Sequence, residues 1–116
     1  CLVMSDAEYR AALKTFDLTD DGAWLQPRCK AVMHTFEKVE SGTLICILAM
    51  SPEALDADGV DVAASIAHES VHAWQRIRDF TSLENPIQCW GREAEAYAVE
   101  NIFRAFADEF KRRLTP

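Results

Sequence analysis

Residues 60–80 have the sequence VDVAASIAHESVHAWQRIRDF, and the pattern of this stretch decides which fold the chain can form. Placed at steps of about 100° around a helix, its residues separate into a broad apolar side and a narrow polar wedge. A helix that is apolar over most of its circumference is expected at the buried centre of a domain. Its polar wedge then has to reach solvent or find polar partners. The apolar side consists of Ala63, Ala64, Ile66, Ala67, Val71, Ala73, Trp74 and Ile77, and the wedge of Ser65, His68, Glu69, His72, Gln75, Arg76 and Asp79.

The flanking segments predict one small α+β domain over residues 1–116. A capping-box spacing between Ser5 and Glu8 indicates a helix from Asp6 to Phe16. The strands Ala31–Val39 and Thr43–Met50 predict a β-hairpin, and the second strand is apolar on both faces, so we expect it to be covered on each side. After the hairpin we expect a short helix opened by Ser51-Pro52-Glu53, a break at Asp58-Gly59, the helix 60–80, a loop at Thr81–Pro86, and a last helix from Pro86 to Leu114.

The composition is that of a globular protein and argues against two classes of partner. The 116 residues are 49% hydrophobic and carry a formal net charge of −7. Nucleic acid and anionic membranes attract basic surfaces, so we expect neither as a main partner. The one basic cluster, Lys111 to Arg113, suits the negative end of a C-terminal helix. The longest apolar run, Leu44–Met50, is too short to cross a bilayer.

The four cysteines, Cys1, Cys29, Cys46 and Cys89, form no C-x-x-C pair and have no regular spacing. Cys46 lies in an apolar run and Cys89 in a helical pattern, which favours small buried hydrophobic residues over a disulfide framework. We therefore expect reduced thiols and a cytoplasmic setting, and the chain shows no basic-then-apolar leader. A disulfide between Cys29 and Cys46 is the alternative if their strands pair.

His68, Glu69 and His72 form the pattern H-E-x-x-H in the middle of the polar wedge. Two histidines one helical turn apart can point their imidazoles at a common position, which is the reason for this spacing in metal sites. Glu69 projects from the flank, where a carboxylate can hydrogen-bond a water carried by the metal and act as a base. The alternative is an exposed helical face with ordinary charges.

The stretch WGREAEAYAVENIF, residues 90–103, offers acidic residues for a third ligand. H-E-x-x-H followed on the next helix by E-x-x-A resembles the gluzincin metallopeptidases, including ImmA/IrrE-like and phage-encoded proteins. The resemblance implies a zincin-like fold, a Zn²⁺ ion held by His68, His72 and Glu93, and a small residue at Ala96. Glu100 is the second choice of ligand, whereas Glu95 points about 200° away from Glu93 around the helix and is expected to be solvated.

Several other residues are candidates for roles in the catalytic site. Many gluzincins carry an acidic or amide residue directly after the alanine, where this chain has Tyr97. Tyr97 is a candidate to support a zinc-bound histidine or an oxyanion, or it is a packed aromatic. His34 and Tyr9 are the other candidates for transition-state stabilisation. The resemblance also implies that an extended substrate adds to the strand Thr43–Met50. We expect Trp74 in the core, while Trp90 lines the pocket or caps the core.

The motif and the resemblance together predict zinc-dependent hydrolysis of peptide bonds by a metal-activated water, acting on a specific protein or peptide. The first alternative is a zinc-binding interaction or regulatory module with little turnover. The second is a helical scaffold without metal. The presence of Glu69 favours a catalytic metal site, because a purely structural metal site has no need of a base.

Overall fold

The computed structural model describes residues 1–81 and 92–114. In chain order the elements are β1 (Leu2–Val3), α1 (Asp6–Thr15), β2 (Ala31–Lys38), β3 (Thr43–Met50), a 3₁₀ helix (Pro52–Asp56), α2 (Gly59–Thr81) and α3 (Arg92–Leu114). These elements form one compact α+β domain of three helices and a small mixed sheet. The helix, the hairpin and the central helix lie where the sequence predicts them, and Ser5 caps α1 by accepting from the backbone N–H of Glu8. The predicted loop after residue 81, the start of the last helix, Trp90 and Cys89 lie outside the described residues.

The sheet has the strand order β1-β3-β2. β2 and β3 pair antiparallel from Ala31↔Met50 to Lys38↔Thr43, and Gly42, with a φ of 65°, completes the turn between them. β1 pairs parallel to β3, with Leu2 opposite Leu48. The expected antiparallel sheet therefore gains a parallel strand. The prediction that Thr43–Met50 is an edge strand is wrong at Leu48 and Ala49, where β1 pairs with the other edge of β3. The addition of a substrate to this strand stays a prediction.

Alternate residues of β3 pack on opposite sides of the sheet, as the pleat requires. On one side, Ile47 and Ala49 pack with Tyr9 and Leu13 of α1. On the other side, the core joins the sheet to α2 and α3; it contains Leu48, Met50, Val62, Ile66, Phe106 and Phe110. The prediction that the second strand is covered on both faces is confirmed.

α2 buries a narrower face than the sequence indicates. Ile66, Ala73 and Trp74 are buried, so the core position expected for Trp74 is confirmed. In contrast, Val71 is 41% exposed and Ala64 is also exposed. The helix is packed along one face because the sheet and α3 cover only part of its circumference.

Contacts at the two ends of the chain hold α3 against the sheet. Arg113, in the basic last turn of α3, donates to Glu8 of α1 with Nη2 2.6 Å from Oε1. The backbone N–H of Leu2 donates to Glu109 at 2.9 Å. These contacts link β1, α1 and α3 at one end of the domain.

Cys29 and Cys46 are free thiols, so the alternative of a disulfide between them is wrong. The register places Cys46 opposite Thr35, six residues along the chain from Cys29, which is roughly 20 Å of extended strand. None of the helices within the described residues is long and apolar enough to cross a membrane.

Candidate metal and catalytic site

The imidazoles of His68 and His72 converge on one position beside α2. Their Nε2 atoms are 3.1 Å apart, and the two rings meet edge to face with centroids 4.8 Å apart. Both side chains are exposed, so a ligand from solvent can reach them. The one-turn spacing in the sequence thus produces the convergence that a shared cation requires.

Gln75 orients the second of these rings. Its Oε1 lies 3.1 Å from Nδ1 of His72. Because an amide oxygen can only accept, Nδ1 of His72 is the protonated nitrogen, and Nε2 keeps its lone pair. The Nε2 of His68 then donates to the Nε2 of His72. A cation between the rings would replace this shared proton.

The distance between the two Nε2 atoms can be compared with what zinc requires. Zn–N bonds of 2.0–2.1 Å at a tetrahedral angle separate two ligand nitrogens by about 3.3 Å. The 3.1 Å observed needs only a slight opening of the pair. His68 and His72 therefore fit a Zn²⁺ ion as two of its ligands, and Gln75 supplies the outer contact that commonly fixes a ligating histidine.

Glu69 is buried next to this pair, with only 8% of its surface exposed. Among the described residues, no side-chain oxygen is both fully buried and without a hydrogen-bond partner, so the Glu69 carboxylate is not an orphaned buried charge. Glu69 and His68 line one side of a groove of about 380 Å³, and the start of β2 at Cys29, Lys30 and Ala31 lines the other. A carboxylate that lines an open groove can contact a molecule bound there, so Glu69 is placed to act on a ligand in this groove.

The third ligand is not assembled in the described part of the chain. Glu93 lies in the first turn of α3 and is exposed. Glu100, the second choice, is also exposed and forms an ion pair with Arg104 one turn further along α3. Among residues 1–81 and 92–114, no group of three His, Cys, Asp or Glu side chains is placed to hold a metal ion. The ligand role of Glu93 stays a prediction.

The residues in the first turns of α3 that face α2 are not the ones that the sequence predicts. Glu95 and Ala96 line a groove between the helices together with Val71, Trp74 and Gln75. Ala96 is exposed at this groove, and the close helix approach that its small side chain would permit stays a prediction. That the Glu95 carboxylate is solvated stays a prediction; Glu95 is partly exposed beside this groove, whereas Glu93 is exposed. The reason is that α3 turns its Glu95–Ala96 edge, not its Glu93 edge, toward α2.

The remaining catalytic candidates lie away from the histidine pair or in solvent. Tyr97 is 61% exposed, so its interpretation as a packed aromatic is wrong, and its catalytic role stays a prediction. His34 and Tyr9 contact each other with ring centroids 4.6 Å apart, and they lie on the face of the sheet that packs against α1. The sheet therefore separates both from α2, and neither can stabilise a transition state at His68 and His72.

Tyr9 and His34 instead anchor the long connection between α1 and β2. The Tyr9 hydroxyl donates to Asp20 at 2.5 Å, and Nε2 of His34 lies 2.7 Å from the carbonyl oxygen of Trp24. The Tyr9 hydrogen bond, followed by the backbone N–H of Gly22, lowers the pKa of Asp20. Burial raises the pKa of Tyr9, and Asp20 raises it further, so the phenol stays protonated as the donor.

β2 lies beside α2 and presents its outer edge without a neighbouring strand in the described part of the chain. Arg76 of α2 donates to Glu37 of β2 and ties the strand to the helix one turn beyond His72. The groove at Glu69 opens where β2 begins. The sequence does not reveal this relationship, since nothing in a hairpin pattern tells which strand lies next to a later helix.

Gln75 is the site residue that the sequence analysis left without a role. Its position three residues after His72 on the same helix face is the signal that could have revealed it, because side chains at this spacing are neighbours. Comparisons of the chain with protein-family models, with curated protein sequences and with solved structures give no match.

Proposed function

We propose that the protein is a zinc-dependent peptidase, which hydrolyses peptide bonds by a metal-activated water. The observation that carries the proposal is the convergence of two Nε2 atoms at 3.1 Å beside Glu69, which is 8% exposed and lines the same groove as His68. The resemblance of H-E-x-x-H and E-x-x-A to the gluzincin motifs adds support. The substrate is proposed to be a specific protein or peptide.

In this proposal His68, His72 and Glu93 hold the zinc ion. When bound, Zn²⁺ supplies a lowered pKa for water and polarisation of the scissile carbonyl. Gln75 keeps the His72 ring in the orientation that directs Nε2 at the ion. For Glu93 to join, the first turn of α3 has to rotate, because α3 turns its Glu95–Ala96 edge toward α2 and Glu93 is exposed.

Glu69 acts as the general base and then as the general acid. Its carboxylate takes a proton from the attacking water as the new C–O bond forms, and it delivers that proton to the leaving amine as the C–N bond breaks. Burial of Glu69 favours this role, since a carboxylate shielded from bulk water interacts more strongly with the reacting groups. No other described residue of the groove offers a carboxylate beside His68.

The outer edge of β2 is proposed to align the substrate, in place of β3. An extended peptide can add to an unpaired strand edge through main-chain hydrogen bonds. β2 begins at the groove that contains Glu69 and His68. A peptide on this edge therefore passes the histidine pair.

A zinc-binding interaction module with little turnover is the second candidate. It is favoured by the exposed position of Glu93 and by the absence of an assembled three-ligand cluster among residues 1–81 and 92–114. Such a module would bind zinc through the histidine pair but would have no use for the carboxylate of Glu69.

The ligand set is tested by titrating zinc into the apo-protein and measuring stoichiometry and affinity. We expect one zinc per chain, with binding lost in His72→Ala and weakened in Glu93→Ala. His34→Gln is the matched histidine control, because His34 lies across the sheet, and Glu40→Ala, in the exposed hairpin turn, is the matched glutamate control. Glu95→Ala and Glu100→Ala test the alternative ligands. Unchanged affinity in His72→Ala would overturn the site, and a larger loss in Glu95→Ala than in Glu93→Ala would reassign the third ligand.

Catalysis is tested with Glu69→Gln in a peptide-library cleavage assay. We expect the variant to keep its zinc and to lose hydrolysis by a factor of at least about 100, in line with removal of a general base. Zinc binding without any cleavage in the unmodified protein would favour the interaction module.

A further inference from the structure

The groove at Glu69 continues into a second cavity. This cavity has a volume of about 500 Å³ and shares Lys30, Ala64 and Ser65 with the groove. Its size falls within the range of about 300–1,000 Å³ that is typical of ligand-binding clefts. A molecule that lies in the groove beside Glu69 can therefore extend a side chain past Ser65 into the cavity.

The walls of the cavity combine an apolar floor with two carboxylates. Met50 and Val62 are buried beneath it, and Ala54 and Ala57 form its apolar rim. The carboxylates belong to Glu53, in the first turn of the 3₁₀ helix, and Asp61, in the first turn of α2; both residues are exposed. Within the described residues, neither carboxylate has a hydrogen-bond or ion-pair partner.

We propose that this cavity receives the side chain of a lysine or arginine from a peptide whose backbone lies in the groove. Long basic side chains bury an aliphatic stem against apolar surface and keep the charged head in a polar region. The floor of Met50 and Val62 suits the stem, and Glu53 and Asp61 suit the head. The inference deepens the proposed function, on which it rests, by assigning a basic residue close to the scissile bond.

The positive charge of Lys30, at the mouth of the cavity, should weaken the binding of a basic side chain. Its side chain is exposed and lines both the groove and the cavity, so an incoming cation passes it. The backbone fixes its position, since the carbonyl oxygen of Lys30 accepts from the N–H of Ser51 at 2.9 Å. Removing its charge should therefore strengthen the binding of a basic side chain.

An anionic side chain is the competing occupant. The N-termini of the 3₁₀ helix and of α2 both meet the cavity, and helix N-termini favour anions. Glu53 and Asp61 stand at those same first turns and offset this preference. Two carboxylates against the single ammonium of Lys30 give the cavity a net negative lining, which favours the basic side chain.

The test measures binding without relying on catalysis or on zinc. Blocked single residues, N-acetyl-lysine methylamide and its arginine, norleucine and glutamate counterparts, are titrated into the isotope-labelled protein by NMR. We expect the lysine and arginine probes to shift the amides of Ala54, Ala57 and Val62. The norleucine probe should bind about three- to tenfold more weakly, the range expected for two partly enclosed ion pairs.

Variants separate a specific pocket from general electrostatics. Glu53→Gln/Asp61→Asn should abolish the difference between lysine and norleucine, and Lys30→Met should enlarge it. The control Glu40→Gln/Asp21→Asn removes two negative charges from exposed positions in the hairpin turn and beside α1, neither of which lines the cavity, and should leave the difference intact. Equal binding of lysine and norleucine, or strongest binding of the glutamate probe, would overturn the inference.

Cleavage profiling then separates the two proposals. If the zinc-loaded protein cleaves peptides with no preference for basic residues near the scissile bond, the pocket assignment fails while the peptidase proposal stands. If the lysine probe binds as expected but no peptide is cleaved, the peptidase proposal fails while the pocket stands.

Discussion

The Nδ1 atom of His72 lies 3.1 Å from Oε1 of Gln75, three residues further along α2. This contact determines which nitrogen of His72 carries a proton, and so it leaves Nε2 available on the side of His68. The functional geometry therefore depends on three residues of one helix, His68, His72 and Gln75. All three are presented on the same face by the helical repeat.

Removal of the Gln75 amide should weaken zinc binding. We expect Gln75→Leu to lower zinc affinity about tenfold, because loss of an outer-shell partner typically costs about 10- to 100-fold and His72 keeps its own ligand nitrogen. Competition titration with a chromogenic chelator measures this. Gln26→Leu, at an exposed glutamine that does not line the groove of His68 and Glu69, is the matched control. Equal affinities in both variants would show that Gln75 does not orient His72.

The ion pair between Glu8 and Arg113 should make stability depend on pH in the acid range. The hydrogen bond from Arg113 holds the pKa of Glu8 below its ordinary value of 4.5. A carboxylate whose pKa is lower in the folded state stabilises the fold above its unfolded pKa and loses that contribution as the pH falls through the folded value.

We therefore expect Glu8→Gln to lower the free energy of unfolding by about 0.5 kcal/mol at pH 7, because both side chains are roughly 40% exposed and exposed pairs are weak. The difference from the unmodified protein should disappear when the pH is lowered from 7 to a value below the folded-state pKa of Glu8, where the carboxyl is protonated in both states. Urea unfolding at the two pH values measures it. A difference that persists at the lower pH would mean that Glu8 acts through packing instead of charge.

Loss of the hydroxyl should change the free energy of unfolding by different amounts at the two tyrosines of the chain. Tyr9 is fully buried and donates to the Asp20 carboxylate at 2.5 Å. Tyr9→Phe should lower the free energy of unfolding by about 1.5–3 kcal/mol, the range for hydrogen bonds to charged groups. Tyr97→Phe, at a position 61% exposed, should leave stability within about 0.5 kcal/mol.

The same tyrosine pair also tests a catalytic role. If Tyr97 stabilises an oxyanion, Tyr97→Phe lowers kcat of peptide hydrolysis without changing thermal stability. Unchanged kcat would remove Tyr97 from the catalytic residues. In Tyr9→Phe, an NMR titration should show the pKa of Asp20 rising, because the hydrogen bond that lowers it is lost.

The core between the sheet and α2 should be sensitive to truncation. Leu48 is fully buried at the centre of β3 and packs against the α2–α3 layer. Leu48→Ala should lower the free energy of unfolding by about 3 kcal/mol, the usual cost of a buried Leu→Ala change. Leu114→Ala, at a leucine 51% exposed near the end of α3, is the matched control, with an expected change of about 0.5 kcal/mol or less. Similar losses in both would place the core elsewhere.

Local patterns predicted the elements well because their signals lie within a few residues of each other. The spacing of Ser5 and Glu8 marks the start of α1, and the turn at residues 40–42 fixes the hairpin register. β1 was missed because two apolar residues have no periodicity. Leu2–Val3 forms a strand because it pairs with the edge of β3 that β2 does not cover. The width of the buried face of α2 was overestimated for a related reason, since Ala64 and Val71 are apolar but exposed.

The sequence by itself determined that His68 and His72 face one position, because the helical repeat alone carries residues four apart to the same side. It also placed Glu69 on the flank of that pair. Only the tertiary structure decided that β2 instead of β3 borders the motif, that His34 and Tyr9 lie across the sheet, and that Glu95 instead of Glu93 turns toward α2. These relationships depend on how separate elements pack, and packing is set by the summed burial of distant side chains, which no local spacing encodes.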